Sequence, residues 1–298
     1  MNEDRRNSLG LALLLIASVA CRASAPAPQA APSPTTPPPV VGTSSLGITY
    51  EVRGAGPAVV LLHAFTLDHR QWDRLAPALA ANHRVVRYDQ RGSGKSPLPT
   101  EPFAAHEDLA ALLDELGIER ASLIGLSSGA GIAADFALAY PRRVEKLVLA
   151  SPSLGGYVPQ ESFEWMTPIF AAARAGNPDV AAQLFADSDL MTVGDDEESA
   201  RVRQMIHENS HLWAMTRNPL RPLAPPAFER LEELGKIPTL AIFGDQDSKD
   251  VARIAEALAA RSRAKKVEIK NAHHLLSADA PAAFWAAVSE FLSPPSPR

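Results

Sequence analysis

Short apolar runs that alternate with longer helical patterns constrain the fold of this 298-residue chain most strongly. Runs rich in Val, Ile and Leu predict strands at 48–53, 58–63, 84–89, 121–125, 144–150, 239–244 and 266–270. Helical patterns are found at 72–81, 103–116, 129–140, 251–260 and 280–292. Because continuous apolar strands separated by helices are typical of a parallel sheet covered on both faces, we expect an α/β fold with a mostly parallel central sheet.

The alternation stops between residues 152 and 236. Helical patterns near 161–175, 180–185 and 197–215 are followed there by a Pro-rich passage. A segment of this length without a strand is too long for a simple loop. We therefore expect an inserted helical lid over 152–236. The remaining segments are a catalytic core at 45–151 and 237–293 and a tail at 294–298.

The most informative motif is G-x-S-x-G, which Gly125, Ser127 and Gly129 form directly after an apolar strand and before an Ala-rich helix. A nucleophile at such a corner needs glycines beside it, because the strand and the helix approach each other closely. The turn would expose Ser127 Oγ and direct the N–H of Ser128 at developing negative charge. A Gly/Ser turn that only caps the helix is the alternative explanation.

In this strand-turn-helix context the chain resembles the α/β-hydrolase family from Leu46 to Leu292. The resemblance implies that a nucleophile, an acid and a histidine follow one another along the chain. The family usually places its acid three residues after the Gly that ends a late strand, so Gly244 selects Asp247. Asp245 or Asp250 could be the acid instead. Otherwise these two residues are carboxylates of a turn and of a helix cap.

The family's histidine usually follows a Gly and precedes a Pro by seven residues, a spacing that His274 and Pro281 match. We therefore expect His274 to be the base. His273 stands at the position of the Gly, either as a partly exposed turn residue or as a hydrogen-bond donor behind the site.

The resemblance also covers two turns next to the turn that carries Ser127. The loop from His63 to Phe65 follows a buried strand at the position of the family's H-G-x loop, with Ala64 in place of Gly. It implies that the backbone N–H groups of Phe65 and Ser128 form an oxyanion hole, while His63 braces the loop. The segment 89–96 matches the D-x-R-G-x-G-x-S turn of many such hydrolases, where its role is structural.

A competing motif lies in the expected lid, where residues 207–211 fit H-E-x-x-H. His207 and His211 at i and i+4 would share one helical face and bind zinc, with Glu208 activating a water. Candidates for a third ligand follow downstream: Glu229, Glu232 and Glu233. Because a zinc protease would leave the ordered serine, acid and histidine unexplained, we expect no metal and no cofactor.

The N-terminus predicts export. Arg5 and Arg6 precede an apolar run at 9–20 that is too short to span a bilayer, a pattern typical of a secretory signal peptide. Small residues directly before Cys21 resemble the bacterial lipoprotein processing site, which implies cleavage there and lipidation of the thiol. An ordinary signal peptide cut slightly later, which removes Cys21, is the alternative.

Residues 21–44 are rich in Ala, Pro, Ser and Thr and carry no periodic apolar pattern. Such a composition does not bury enough surface to fold, so we expect an extended tether. With a signal peptide at 1–20 and a lipid on Cys21, the protein would belong to the bacterial cell envelope and contact a membrane only through its anchor.

Composition limits the partners. The 34 acidic and 29 basic residues give a net charge of −5, so no basic excess is present to neutralise nucleic acid phosphates. A single Cys excludes an internal disulfide. Together with the resemblance, the sequence predicts a serine hydrolase that cleaves a small or medium carboxylic ester or lactone through an acyl-enzyme. Perhydrolase or C–C hydrolase chemistry would use the same residues, and a small-molecule receptor with little turnover is the non-enzymatic alternative.

Overall fold

The strands form a mostly parallel sheet in the computed structural model, which describes residues 38–215 and 219–293. Their order across the sheet is β1-β2-β4-β3-β5-β6-β7-β8. The bounds are β1 Val40–Thr43, β2 Thr49–Arg53, β3 Ala58–Leu62, β4 Arg84–Tyr88, β5 Ala121–Leu126, β6 Val144–Ala150, β7 Thr239–Gly244 and β8 Lys265–Ile269. Neighbouring strands from β4 to β8 in that order are parallel, whereas β1 and β2 pair antiparallel. The expected α/β fold is confirmed.

Helices cover both faces of this sheet. They are α1 Ala76–Ala80, α2 Ala105–Glu115, α3 Ser128–Ala139, α4 Thr167–Arg174, α5 Pro178–Ala186, α6 Asp196–Glu208, α7 Lys249–Ser262, α8 Leu276–Asp279 and α9 Pro281–Leu292. Along β3, Val59 and Leu61 join one apolar cluster and Val60 and Leu62 join another. Both faces of the central strand are therefore buried, which explains why its sequence is a continuous apolar run. No helix among the described residues is long and apolar enough to cross a bilayer.

The expected tether ends earlier than residue 44. Val40–Thr43 pairs with β2, with Val41 opposite Glu51, and forms an edge strand. Val40 is 64% exposed, so this strand lacks the alternation that burial of one face imposes on a sequence. The signal peptide, Cys21 and the tail at 294–298 lie outside the described residues.

Between β6 and β7 the described chain contains α4, α5 and α6 with short 3₁₀ segments and adds no strand to the sheet. An aromatic cluster holds these helices together. Its ring centroids lie 5.3 Å apart for Phe185 and Trp213 and 6.3 Å apart for Phe170 and Trp213. The 152–236 segment is thus a helical insertion, as its sequence pattern indicates.

Candidate active site

Ser127 lies at the sharp turn between β5 and α3, which we call the elbow. Its φ of 56° and ψ of −117° are rare for a residue with a side chain, and its N–H donates to the Ala150 carbonyl at 2.9 Å. A Cβ on Gly125 would lie 2.3 Å from the Gly129 carbonyl oxygen, and one on Gly129 would lie 2.3 Å from the Leu62 carbonyl oxygen. The two glycines therefore permit the close contact of strand and helix that holds Ser127 in this conformation.

Asp247 follows β7 and His274 follows β8, and the two side chains are in contact. His274 Nδ1 lies 2.9 and 3.0 Å from the two carboxylate oxygens of Asp247. The side chains are 7% and 0% exposed, respectively. Burial alone raises the pKa of Asp247, but the charge and hydrogen bond of His274 and the Ser248 amide, 2.7 Å away, hold that pKa below its usual value. The acid is therefore a carboxylate that accepts the Nδ1 proton.

The alternative acids are used elsewhere. Asp250 accepts hydrogen bonds from the Tyr157 hydroxyl at 2.7 Å and from the Gln160 backbone N–H at 3.0 Å. Asp245 accepts from the Asn271 N–H at 2.7 Å. In the described structure His274 pairs with neither of them, so the geometry distinguishes Asp247 from its two neighbours.

Ser127, Asp247 and His274 line one cavity of about 820 Å³. Among the described residues no hydrogen bond joins Ser127 Oγ to His274, a contact that is often long before a substrate is bound. Ser151, which sequence reasoning missed, fixes the backbone of His274 by donating from Oγ to its carbonyl at 2.8 Å. It follows β6 with a φ of 42°, and no motif in the sequence distinguishes it.

The backbone N–H groups of Phe65 and Ser128 lie beside the elbow. Neither has a hydrogen-bond partner within the described chain. Both residues line a second cavity of about 640 Å³. The Ser128 amide is also at the N-terminus of α3, where the helix dipole favours negative charge. Two donors without a partner in the described chain thus belong to residues of one cavity, and one of these residues, Ser128, directly follows Ser127.

His63 braces the loop that carries Phe65. Its Nδ1 donates to the Ala64 carbonyl at 2.8 Å, and its Nε2 accepts from the Gln90 N–H at 3.0 Å. The Gln90 side chain in turn donates to the His63 carbonyl at 2.6 Å. Burial lowers the pKa of His63, outweighing the opposite effect of the Ala64 hydrogen bond. A neutral ring with the proton on Nδ1 satisfies both contacts.

Asp89 opens the turn at 89–96, which we call the Asp89 turn. With Asp68 and His69 it forms the one group of three possible metal ligands found in the described chain. These carboxylates are occupied by donors. Asp68 accepts from Arg70, and Asp89 accepts from the His69 ring at 2.6 Å and the Lys95 N–H at 2.9 Å. The contacts are those of a structural turn.

The H-E-x-x-H motif does not form one helical face, because α6 ends at Glu208 and Asn209 follows as its C-cap. His211 belongs to a 3₁₀ segment, and its Nε2 lies 2.6 Å from the Gly92 carbonyl. Glu208 pairs with Arg70. The geometry that the zinc alternative requires is therefore not present.

Two cavities border the elbow, and they differ in character. We call the larger the acidic cavity; its carboxylate-bearing lining residues are Glu161, Asp187, Asp189, Asp247 and Asp250. We call the smaller the aromatic cavity, since Phe65, Phe103, Phe170 and Trp213 line it. Ser127 borders the first and Ser128 the second.

Comparison with known proteins agrees with this architecture. The Alpha/beta hydrolase family pattern matches residues 59–287. The 2-hydroxy-6-oxononadienedioate/2-hydroxy-6-oxononatrienedioate hydrolase 2 of Pseudomonas putida is 32% identical over 225 residues, which cover 69% of this chain and 77% of that protein. A hydrolase structure from Pseudomonas aeruginosa PA01 has a TM-score of 0.65 at 29% identity and covers 86% of this chain and 98% of its own. The enol-lactonase of Burkholderia xenovorans LB400 has a TM-score of 0.63 at 25% identity, with 85% and 99% covered. The chain belongs to the Alpha/beta hydrolase family.

Proposed function

We propose that this protein is a serine hydrolase that cleaves a small or medium carboxylic ester or lactone. One observation carries the proposal: a buried Asp247–His274 pair borders the cavity in which the elbow places Ser127. In this pair the carboxylate fixes the Nδ1–H tautomer, which leaves Nε2 of His274 as the free basic nitrogen.

The reaction would proceed in two stages. His274 takes the proton of Ser127 Oγ as that oxygen attacks the carbonyl carbon, and the N–H groups of Phe65 and Ser128 stabilise the oxyanion. The protonated imidazole, stabilised by Asp247, then gives its proton to the leaving alcohol and an acyl-enzyme remains. His274 next deprotonates a water, which attacks the acyl carbon and releases the acid.

Charge favours a neutral substrate portion in the acidic cavity, whereas Arg91 and Arg174 border the aromatic cavity. Five carboxylates line the acidic cavity, and no Lys or Arg of the described chain borders it. The names of the relatives divide between an enol-lactonase and a hydrolase of 2-hydroxy-6-oxononadienedioate. A panel of simple esters, an enol-lactone and such a dienedioate therefore separates the substrate classes, and we expect turnover of the first two.

The decisive experiment is labelling with a fluorophosphonate followed by peptide mapping. We expect one labelled peptide, containing Ser127, and loss of both labelling and ester cleavage in Ser127→Ala. Ser153→Ala is the matched control, because Ser153 lines the same cavity. Full ester turnover by Ser127→Ala, or a label on another residue, would refute the mechanism.

We also propose that the protein is exported and anchored through a lipid on Cys21. The support is the N-terminal pattern of two arginines, a short apolar run and small residues before the cysteine. Cys21→Ser should move the protein from the membrane fraction to the soluble fraction, whereas Ser24→Ala should not. An unchanged distribution of Cys21→Ser would contradict the anchor.

A further inference from the structure

His273, at the position where the family usually has Gly, borders the acidic cavity together with His274. Its Nδ1 lies 3.0 Å from Asp279 Oδ2, and the same oxygen accepts the His273 backbone N–H at 2.7 Å. The second oxygen of Asp279 accepts the N–H of Gly194, in the lid, at 2.9 Å. Three hydrogen bonds from two parts of the chain therefore fix the orientation of this carboxylate and of the ring that it holds.

These contacts determine which atom of the ring is free. Burial raises the pKa of Asp279, but the amides of His273 and Gly194 and the His273 ring hold it below its usual value, so the group is a carboxylate. It accepts the Nδ1 proton, so Nε2 is the ring nitrogen that carries the lone pair whenever the imidazole holds a single proton. The His273 side chain is 33% exposed, and in the described structure Nε2 has no hydrogen-bond partner. Nε2 is thus an unused acceptor at the cavity wall.

The rest of the cavity wall adds acceptors. Of the five carboxylates that line the cavity, Asp187, Asp247 and Asp250 pair with Arg203, His274 and Arg253, whereas Asp189 is an exposed lid residue whose carboxylate has no partner in the described structure. The unpaired Asp189 carboxylate disfavours an anionic substrate group and favours one that donates hydrogen bonds.

The proposed reaction decides which part of the substrate meets this wall. His274 must reach the leaving oxygen to protonate it, and His274 borders the acidic cavity. The carbonyl oxygen must reach the amides of Phe65 and Ser128, two residues that border the aromatic cavity. The alcohol portion of an ester therefore occupies the acidic cavity and the acyl portion extends into the aromatic one.

We propose that His273 is a specificity-determining residue whose Nε2 accepts a hydrogen bond from a second hydroxyl group on the leaving alcohol. The inference rests on the proposed ester hydrolysis and specifies its substrate class, namely monoesters of hydroxylated alcohols. Asp279 is the positioning residue that holds the imidazole in the accepting tautomer.

The test compares two esters of nearly equal shape, 2-hydroxyethyl butanoate and propyl butanoate, which differ by a hydroxyl in place of a methyl group. The variant His273→Asn keeps an amide donor for Asp279 but has no atom at the Nε2 position. We expect its ratio of kcat/KM for the hydroxyethyl ester to that for the propyl ester to fall about fivefold, the effect of one hydrogen bond. His273→Gln, whose amide reaches the Nε2 position, should retain more of that ratio.

Each outcome has a definite meaning. A purely structural role of His273 would change both esters equally, so an unchanged ratio in His273→Asn overturns the inference. Fluorophosphonate labelling of Ser127 in the same samples separates this failure from failure of the proposed function. Labelling with an unchanged ratio removes only the role of His273, whereas absence of labelling in the wild-type protein removes both proposals.

Discussion

The carboxyl ends of the central strands and the helical lid border the same cavities, but they constrain their residues very differently. At the elbow, a single added carbon on Gly129 would lie 2.3 Å from a backbone oxygen. In the lid, Trp165 and Phe163 are 38% and 49% exposed, and each has space around it. The acid and histidine that we assign to the chemistry are almost fully buried, whereas the lid residues that would meet the substrate are partly open.

The difference indicates that the strand ends determine the reaction and the lid determines substrate preference. Close backbone contacts and burial at the strand ends keep Ser127, Asp247 and His274 in place. Side chains on the lid are limited mainly by the shape of the cavity, so their substitution should change substrate preference before it changes the reaction. Substitutions in the two regions, with matched controls where the chain offers them, test this difference.

The largest effect is expected for Asp247→Asn. An amide at this position no longer enforces the Nδ1–H tautomer of His274, so kcat should fall by about 10³–10⁴. Asp245→Asn is the control, because Asp245 bonds to Asn271 and not to His274. Steady-state kinetics with a chromogenic ester measure both variants, and a fall in kcat of less than tenfold for Asp247→Asn would contradict the assignment.

The same carboxylate makes stability depend on pH. Since the pKa of Asp247 is lowered in the folded protein, its ionised form stabilises the fold above the unfolded pKa of about 4. That contribution is lost as the pH falls through the lower, folded pKa.

Gly129→Ala should reduce the free energy of unfolding by about 3 kcal/mol, because backbone atoms of β3 and α3 would have to move apart. The lid supplies the comparison in Gly155→Ala, where the added carbon would meet only Pro226 at 3.9 Å. Its effect should stay within about 0.5 kcal/mol. Denaturant titrations measure both, and equal effects would show that the two regions are packed alike.

His63 should make the core sensitive to mild acid. Because the pKa of His63 is lowered in the folded protein, the unfolded chain takes up a proton below pH 6.5 while the folded protein does not. The free energy of unfolding therefore decreases as the pH is lowered. The difference in free energy of unfolding between wild type and His63→Gln should therefore become smaller as the pH is lowered, by at most about 1.4 kcal/mol per pH unit. Asp135, whose pKa burial raises to about 6, acts in the opposite direction but cancels in this difference.

A smaller loss of stability than for Gly129→Ala is expected for Trp165→Ala. Its ring stacks on Phe163 and Phe185 at centroid distances of 6.3 and 6.4 Å, so removal should cost about 1 kcal/mol. Because Trp165 borders the acidic cavity, KM for an ester with an aromatic leaving group should rise about fivefold while kcat changes little. Thermal unfolding and kinetics together measure this, and a fall in kcat that matches the rise in KM would assign the lid a role in the reaction itself.

Elements defined by local pattern were predictable from the sequence. The buried strands are continuous apolar runs, and the G-x-S-x-G turn follows one of them, so both the sheet and the position of Ser127 could be inferred. The edge strand at Val40–Thr43 could not, because it is short, exposed and preceded by a Pro-rich segment. Its pairing with β2 depends on a neighbour that composition does not reveal.

Contacts between distant parts of the chain were not predictable from single motifs. No motif in the sequence distinguishes Asp279, yet it holds His273 and a lid amide. The H-E-x-x-H pattern failed for a local reason: the helix ends at Asn209, whose side chain accepts from the Gly94 N–H in the Asp89 turn. A motif specifies residue types, whereas the end of a helix is set by what lies next to it.

The order of the strands also determines how the molecule would respond to force. The chain enters the sheet through β1, and β1 lies four strand positions, or about 19 Å, from β5 and its nucleophile turn. Tension on the N-terminal side would load the antiparallel β1–β2 pair first. Strand β1 would separate from β2 before the parallel strands next to Ser127, Asp247 and His274 are disturbed.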